Sequence, residues 1–153
     1  MSTYETSIAV KAPALITWAR ISDVCEWPSW MPTVTSVEPL QGRSLDLGYR
    51  FRIEQPRLRP AIWTVTKIVP GESFVWEASS PGVVAVAEHR VTEVGRDKCT
   101  VTLCVSFVGL LSWLASLAAG RLTREYIERE AQALRVAAER QHGATQIKYP
   151  APG

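Results

Sequence analysis

Residues 110–141, LLSWLASLAAGRLTREYIEREAQALRVAAERQ, decide how the rest of the chain is read. The stretch holds no proline and a single glycine. At about 100° per residue it sorts into two arcs from Gly120 onward. Arg121, Arg124, Glu125, Glu128, Arg129, Arg135, Glu139 and Arg140 fall on one arc; Leu122, Tyr126, Ile127, Ala133, Leu134, Ala137 and Ala138 fall on the other. A long amphipathic helix of this kind must lie across an apolar layer. Glu125 stands one turn before Arg129, and Arg135 one turn before Glu139, a spacing that suits charge pairs on a wet outer face. Glu130 breaks the pattern, because it falls within the apolar arc in line with Ser116 and Thr123. A carboxylate aimed at packed core is costly without a partner or water. Either the helix covers a cavity that tolerates polar groups, or Glu130 pairs with a basic residue beneath it.

The layer beneath is read upstream. Residues 33–39, 47–55, 61–69, 73–78, 83–94 and 99–108 have strand character, with Pro70-Gly71, Pro81-Gly82 and Gly95-Arg96-Asp97 as turns. In the second of these, Tyr49, Phe51 and Ile53 face one way and Arg50, Arg52 and Glu54 the other. Residues 3–11 alternate with Tyr4, Thr6, Ile8 and Val10 on one face, a strand with one buried side. Pro13 suits the first turn of a short helix that places Leu15, Trp18 and Ala19 on one side. Ser22-Asp23 can cap a second, which Pro28 and Pro32 cut short. The order is strand, two short helices, six antiparallel strands and one long helix. A meander with one apolar face needs a second layer, and the long helix is the only element large enough to supply it. Residues 1–141 make one domain, and residues 142–153 are expected to form a flexible tail.

Composition narrows the function. The chain has 153 residues, 46% apolar and 21% charged, and so should fold as one globular domain. A net charge of +2 with mixed signs argues against a nucleic-acid partner. Cys25, Cys99 and Cys104 are odd in number and lack metal spacing, so they read as free thiols in a reducing, cytoplasmic compartment. The opening residues MSTYETSIAV carry no signal-peptide pattern. The longest apolar run, residues 107–119, is shorter than the roughly 20 residues of a membrane span. No glycine-rich phosphate loop or His/Cys/Asp cluster is present, so no metal or other cofactor is expected.

Several local motifs add to this order: Ala12-Pro13 followed by Trp18; Ser22-Asp23-Val24 leading into Trp27-Pro28-Ser29-Trp30-Met31-Pro32; Gly48; Pro70-Gly71 with Phe74 and Trp76; His89-Arg90-Val91; and Phe107-Val108-Gly109. Together they resemble the START-like (SRPBCC) superfamily, nearest its polyketide cyclase/dehydrase branch, over nearly the whole chain. The resemblance implies an α+β helix-grip fold, in which a curved antiparallel sheet of six to seven strands wraps a long C-terminal helix above a mainly apolar cavity. It implies a hydrophobic small-molecule ligand: a lipid, an isoprenoid or an aromatic polyketide-like compound. It transfers no catalytic signature residue by residue, because members range from ring cyclases to lipid-transfer domains and hormone receptors.

The candidate site residues follow from both readings. Glu130 can hydrogen-bond a ligand hydroxyl or act as a base with its pKa raised by burial; the alternative is a structural ion pair. His89 shares a strand face with Ala85, Ala87 and Val91, and is either a proton shuttle or a core histidine; its neighbour Glu88 points the other way, and small residues on both sides leave open which of the two meets the cavity. Tyr49, Phe51, Trp76, Phe107, Leu122 and Tyr126 are expected to line the cavity, the tyrosines adding a polar handle. Trp18, Trp27 and Trp30 are expected to pack the short helices on the sheet end. Arg50, Arg52, Arg57 and Arg59 surround the loop QPRLRP and read as a solvated surface, with an acidic headgroup as the lesser alternative. Leu110, Leu111, Trp113, Leu114 and Leu117 make the helix start apolar all round. That surface calls for a covering loop, a second subunit in a homodimer, a peripheral membrane contact or a gating role. Three functions stay open: a carrier; a cyclase/dehydratase-type lyase or isomerase using Glu130, His89 or a tyrosine; and an interaction protein using the apolar helix start.

Overall fold

The computed structural model describes residues 2–148. In β1 (Ser2–Val10), Tyr4, Thr6, Ile8 and Val10 turn inward and the residues between them are exposed. The chain then enters α1 (Ala14–Ser22) with Pro13 at its N-cap, and Thr17 and Ile21, one turn apart, point into the core. The second short helix is a 3₁₀ segment, Val24–Ser29, with Pro28 inside it. Asp23 stands at its N-cap but its side chain makes no capping hydrogen bond, so the expected Ser22-Asp23 cap does not form. Tight 3₁₀ geometry suits so short a stretch containing proline. Its Trp27 is buried and donates its indole N–H to the Ile21 carbonyl at 3.0 Å.

β2 (Ser36–Pro39), β3 (Arg50–Glu54), β4 (Ala61–Val69), β5 (Ser73–Ser80), β6 (Val83–Gly95) and β7 (Lys98–Val108) follow. Together with β1 they form one seven-stranded sheet of order β1-β7-β6-β5-β4-β3-β2, each neighbouring pair antiparallel. Register shifts between Val65 and Lys67 and between Glu93 and Gly95 bend the strands and curve the sheet.

α2 (Ser112–Lys148) packs on β1, β6, β7 and α1. Its inward stripe of Tyr126, Ile127, Ala131, Leu134, Ala137 and Ala138 is buried, as the wheel requires. The outer charges behave differently from expectation. Neither Glu125–Arg129 nor Arg135–Glu139 is among the ion pairs of the described residues. Exposed pairs gain little in water, and Glu139 instead accepts the Lys11 backbone N–H at 3.0 Å. The helix also continues past Gln141 to Lys148. No proline interrupts it there, and His142 lies 3.6 Å from the Asp97 carboxylate in the β6–β7 turn. Residues 142–148 are therefore helix and not a loose tail; residues 149–153, the rest of the expected tail, lie outside the described residues.

Gly109 makes the turn from β7 into α2 possible. Its φ is 119°, and a Cβ there would come within 2.6 Å of the Gly82 carbonyl oxygen, so the two turns pass each other only because this residue is glycine. Phe51, Phe74, Ile21, Leu134, Val10, Val24, Val65 and Val101 are fully buried at the centre. Among the described residues, no helix is long and apolar enough to cross a membrane.

Candidate functional site

A cavity of about 170 Å³ lies between the sheet and α2. Its floor is set by strand register: Ala85 pairs with Phe107, Ala87 with Val105 and His89 with Leu103, and all six line the space. Ala85 and Ala87 on the sheet and Ala119 on α2 are too short to fill the gap between the layers. Trp76 from β5, Trp63 from β4 and Trp27 from the 3₁₀ segment form the aromatic wall. The ring centroids of Trp27 and Trp76 are 5.3 Å apart, and those of Trp63 and Trp76 are 5.7 Å apart.

Glu130 is the carboxylate of this cavity. Its Oε1 accepts from Thr33 Oγ1 and from Gln55 Nε2, each at 3.3 Å, and no hydrogen bond reaches Oε2 from the described residues. No arginine or lysine pairs with it among the described residues, so the structural ion pair considered above does not form. Burial pushes its pKa from 4.5 up to about 7, with the hydrogen bonds from Thr33 and Gln55 pulling weakly the other way. A carboxyl poised there can give or take a proton near neutral pH.

His89 points inward and is buried, while Glu88 turns out to meet Arg90 at 2.5 Å. The His89 ring stacks on Phe74 with centroids 4.1 Å apart and stands edge-on to Trp76. Burial lowers its pKa from 6.5 to about 3, the Phe74 backbone opposing weakly, so the imidazole is neutral at physiological pH. Its buried Nδ1 has no hydrogen-bond partner among the described residues.

Of the aromatic and aliphatic residues read as cavity lining, Trp76, Phe107 and Tyr126 are in the wall, whereas Tyr49, Phe51 and Leu122 are not. Phe51 is fully buried behind Trp76, with centroids 6.1 Å apart. Tyr49 is half-buried and lies against Gly42, and Leu122 sits on the flank of the helix stripe. The Tyr126 hydroxyl donates to the Pro56 carbonyl, so it braces the β3–β4 loop and offers no free handle. Trp27, read as packing for the sheet end, also lines the cavity, and Trp63, Gln55, Leu58 and Thr123 join it. A signal for two of these was present. Gln55 continues the alternation of Phe51 and Ile53, and Trp63 shares a face with the buried Val65. Leu58 had none: it reaches the cavity from a loop in which Arg57 takes a φ of 67°.

At the start of α2, Leu111 packs against Gly82, but Leu110, Trp113 and Leu117 stay 92%, 63% and 79% exposed. All three cysteines are free. Among the described residues, no cluster of His, Cys, Asp or Glu is arranged to hold a metal ion.

A curved antiparallel sheet closed on a long C-terminal helix, with an apolar hollow between them, defines a START-like helix-grip protein. The chain belongs to the polyketide cyclase/dehydrase and lipid transport family, whose sequence profile matches residues 1–139. No curated protein matches it. Among solved structures it is similar to the Zhui aromatase/cyclase from a Streptomyces species, at a TM-score of 0.68 and 17% identity, with 99% of each chain covered. It is similar also to a norcoclaurine synthase point mutant from Thalictrum flavum, at 0.74 and 12%, covering 92% of this chain and 95% of that one. A START superfamily protein from Mycobacterium smegmatis matches at 0.65 and 14%, covering 93% and 97%. At such identities the likeness establishes the fold.

Proposed function

We propose that this protein binds a hydrophobic small molecule in the cavity between the sheet and α2. The observation that carries the reading is the wall itself: indole, phenyl and alanyl surface interrupted by the inward carboxyl of Glu130, which, unlike that of the bordering Glu88, has no ionic partner among the described residues. Pockets built to hold small ligands combine apolar walls with a few placed polar groups. Size favours the aromatic end of the ligand range over a long-chain lipid. An apolar cavity of about 150 Å³ takes up benzene, and this one is about 170 Å³. The free thiols suit a reducing, cytoplasmic setting. Native mass spectrometry of the purified protein tests the reading. A co-purified lipophile, displaced by an added aromatic probe, is the expected result; a ligand-free protein that takes up no hydrophobic reporter dye would refute it.

A second reading is favoured by one observation, the placing of an inward carboxyl, Glu130, and an inward imidazole, His89, on the same cavity. On it, Glu130 moves a proton at a bound ring in a cyclisation or dehydration, as befits a relative of an aromatase/cyclase. Turnover of a ring-forming substrate should then show an inflection near pH 7 that disappears in Glu130→Gln. A rate that ignores this substitution would remove the catalytic role.

A further inference from the structure

Resting on the reading of the cavity as a ligand site, we propose that its ligand is a lipophilic amine of one or two aromatic rings, bound as the ammonium ion, and that the cavity rejects the isosteric carboxylate. Three observations lead there. First, the wall contains no lysine or arginine, and its one inward carboxyl is Glu130. Glu88 also borders the space, but its carboxylate is engaged by Arg90. Second, the hydrogen bonds that hold Glu130 both arrive at Oε1, from the Thr33 hydroxyl and the Gln55 amide, so the carboxyl is braced while Oε2 is left to a ligand. Of the other polar groups of the wall, Tyr126 is satisfied by the Pro56 carbonyl, Trp27 by the Ile21 carbonyl and Thr123 by the Ala119 carbonyl; the unpartnered Nδ1 of His89 belongs to an uncharged ring. Third, Trp27, Trp63 and Trp76 crowd together on the wall, and the face of an indole is the negative pole of its quadrupole.

Above about pH 7, where Glu130 is ionised, the groups that create a field in this space therefore share one sign. His89, buried and neutral, does not offset them. An ammonium group gains from Glu130 by charge-assisted hydrogen bonding and from an indole face by cation–π attraction. A carboxylate meets a like charge with no cation to offset it. A hydroxyl gains only the hydrogen bond. The hollow limits the body to one or two rings, by the benzene comparison.

The test uses three isosteric probes on the full chain: 2-naphthylmethylamine, 2-naphthylmethanol and 2-naphthoate. Affinity is read by tryptophan fluorescence and by displacement of a bound hydrophobic dye. At pH 8, with Glu130 ionised, the expected order is amine, then alcohol, then naphthoate, with the amine about tenfold tighter than the alcohol. Glu130→Gln, in a protein that still melts cooperatively, should bring amine and alcohol to within about twofold of each other. Naphthoate binding as tightly as the amine would overturn the proposal, as would an amine preference that survives in a folded Glu130→Gln protein. If that variant does not fold, the ranking of the three probes on the unaltered chain decides alone. Dye uptake without binding of any probe overturns only this inference, whereas failure of the dye as well overturns the cavity reading on which it rests.

Discussion

Glu130, part-buried, and His89, buried, answer to loss of water in opposite ways, and the signs can be followed through to stability. Glu130 has a folded pKa raised from 4.5 to about 7. Its contribution is fully present below pH 4.5 and is lost as pH rises toward 7, because the unfolded chain ionises the carboxyl first. Glu130→Gln should therefore gain stability relative to the parent above pH 7, by on the order of 3 kcal/mol, and none below pH 4.5. Denaturant unfolding of both proteins across that range checks this; parallel curves would show that the carboxyl is solvated. His89 is depressed from 6.5 to about 3, so its contribution is present above pH 6.5 and is lost as pH falls toward 3. The parent should therefore lose stability on the acid side through this residue while gaining through Glu130. His89→Phe should blunt the acid-side loss, as read by melting temperature between pH 4 and pH 7.

The seating of α2 on the edge strand β1 depends on Gly120. A Cβ there would lie 2.3 Å from the Tyr4 hydroxyl oxygen and 3.4 Å from Ser116 Oγ, the group that shares a hydrogen bond with Tyr4. Alanine improves helix propensity by about 1 kcal/mol, but forcing a methyl into a filled contact costs about 1–3 kcal/mol. Gly120→Ala should therefore lower stability. In a Tyr4→Phe background the same change should cost less, and a double-mutant cycle on unfolding free energies measures the difference. Additive losses would mean that helix and strand do not meet through this pair. The exposed start of α2 makes a contrasting case. Leu117 is 79% exposed, so Leu117→Gln should leave the melting temperature within about 2 °C. Any change should appear in self-association or adsorption to vesicles, by sedimentation.

The cavity belongs to the molecule as a whole, because no one element encloses it. Ala119→Leu from α2 should fill part of the space without displacing the sheet. The expected outcome is a protein whose melting temperature is unchanged or higher, since an apolar void is being filled, but which no longer takes up the ligand or dye. Loss of the fold would show that the two layers already touch there. Conversely, a bound ligand should raise the melting temperature with the logarithm of its concentration, as any partner of the native state does.

Chain order and periodicity were enough for the architecture. The alternation of Tyr4, Thr6, Ile8 and Val10, the Pro-Gly turns and the two arcs of α2 are local patterns, and each maps to an element found where those patterns place it. The oddity of Glu130 was legible for the same reason: a charge in an apolar stripe shows on a helical wheel. The end of α2 is not legible in the same way, because residues 142–148 are held partly by the His142–Asp97 contact, made across distant parts of the chain. The cavity wall is only half legible for a like cause. Phe51 and Trp76 are both inward and aromatic, yet one is core and the other lines the hollow, and that depends on sheet curvature and on how far the alanines at 85, 87 and 119 hold the layers apart. Periodicity tells which face of an element is apolar. Whether that face meets another side chain or empty space is a matter of volumes summed over residues far apart in sequence, and it takes shape only when the layers are packed together.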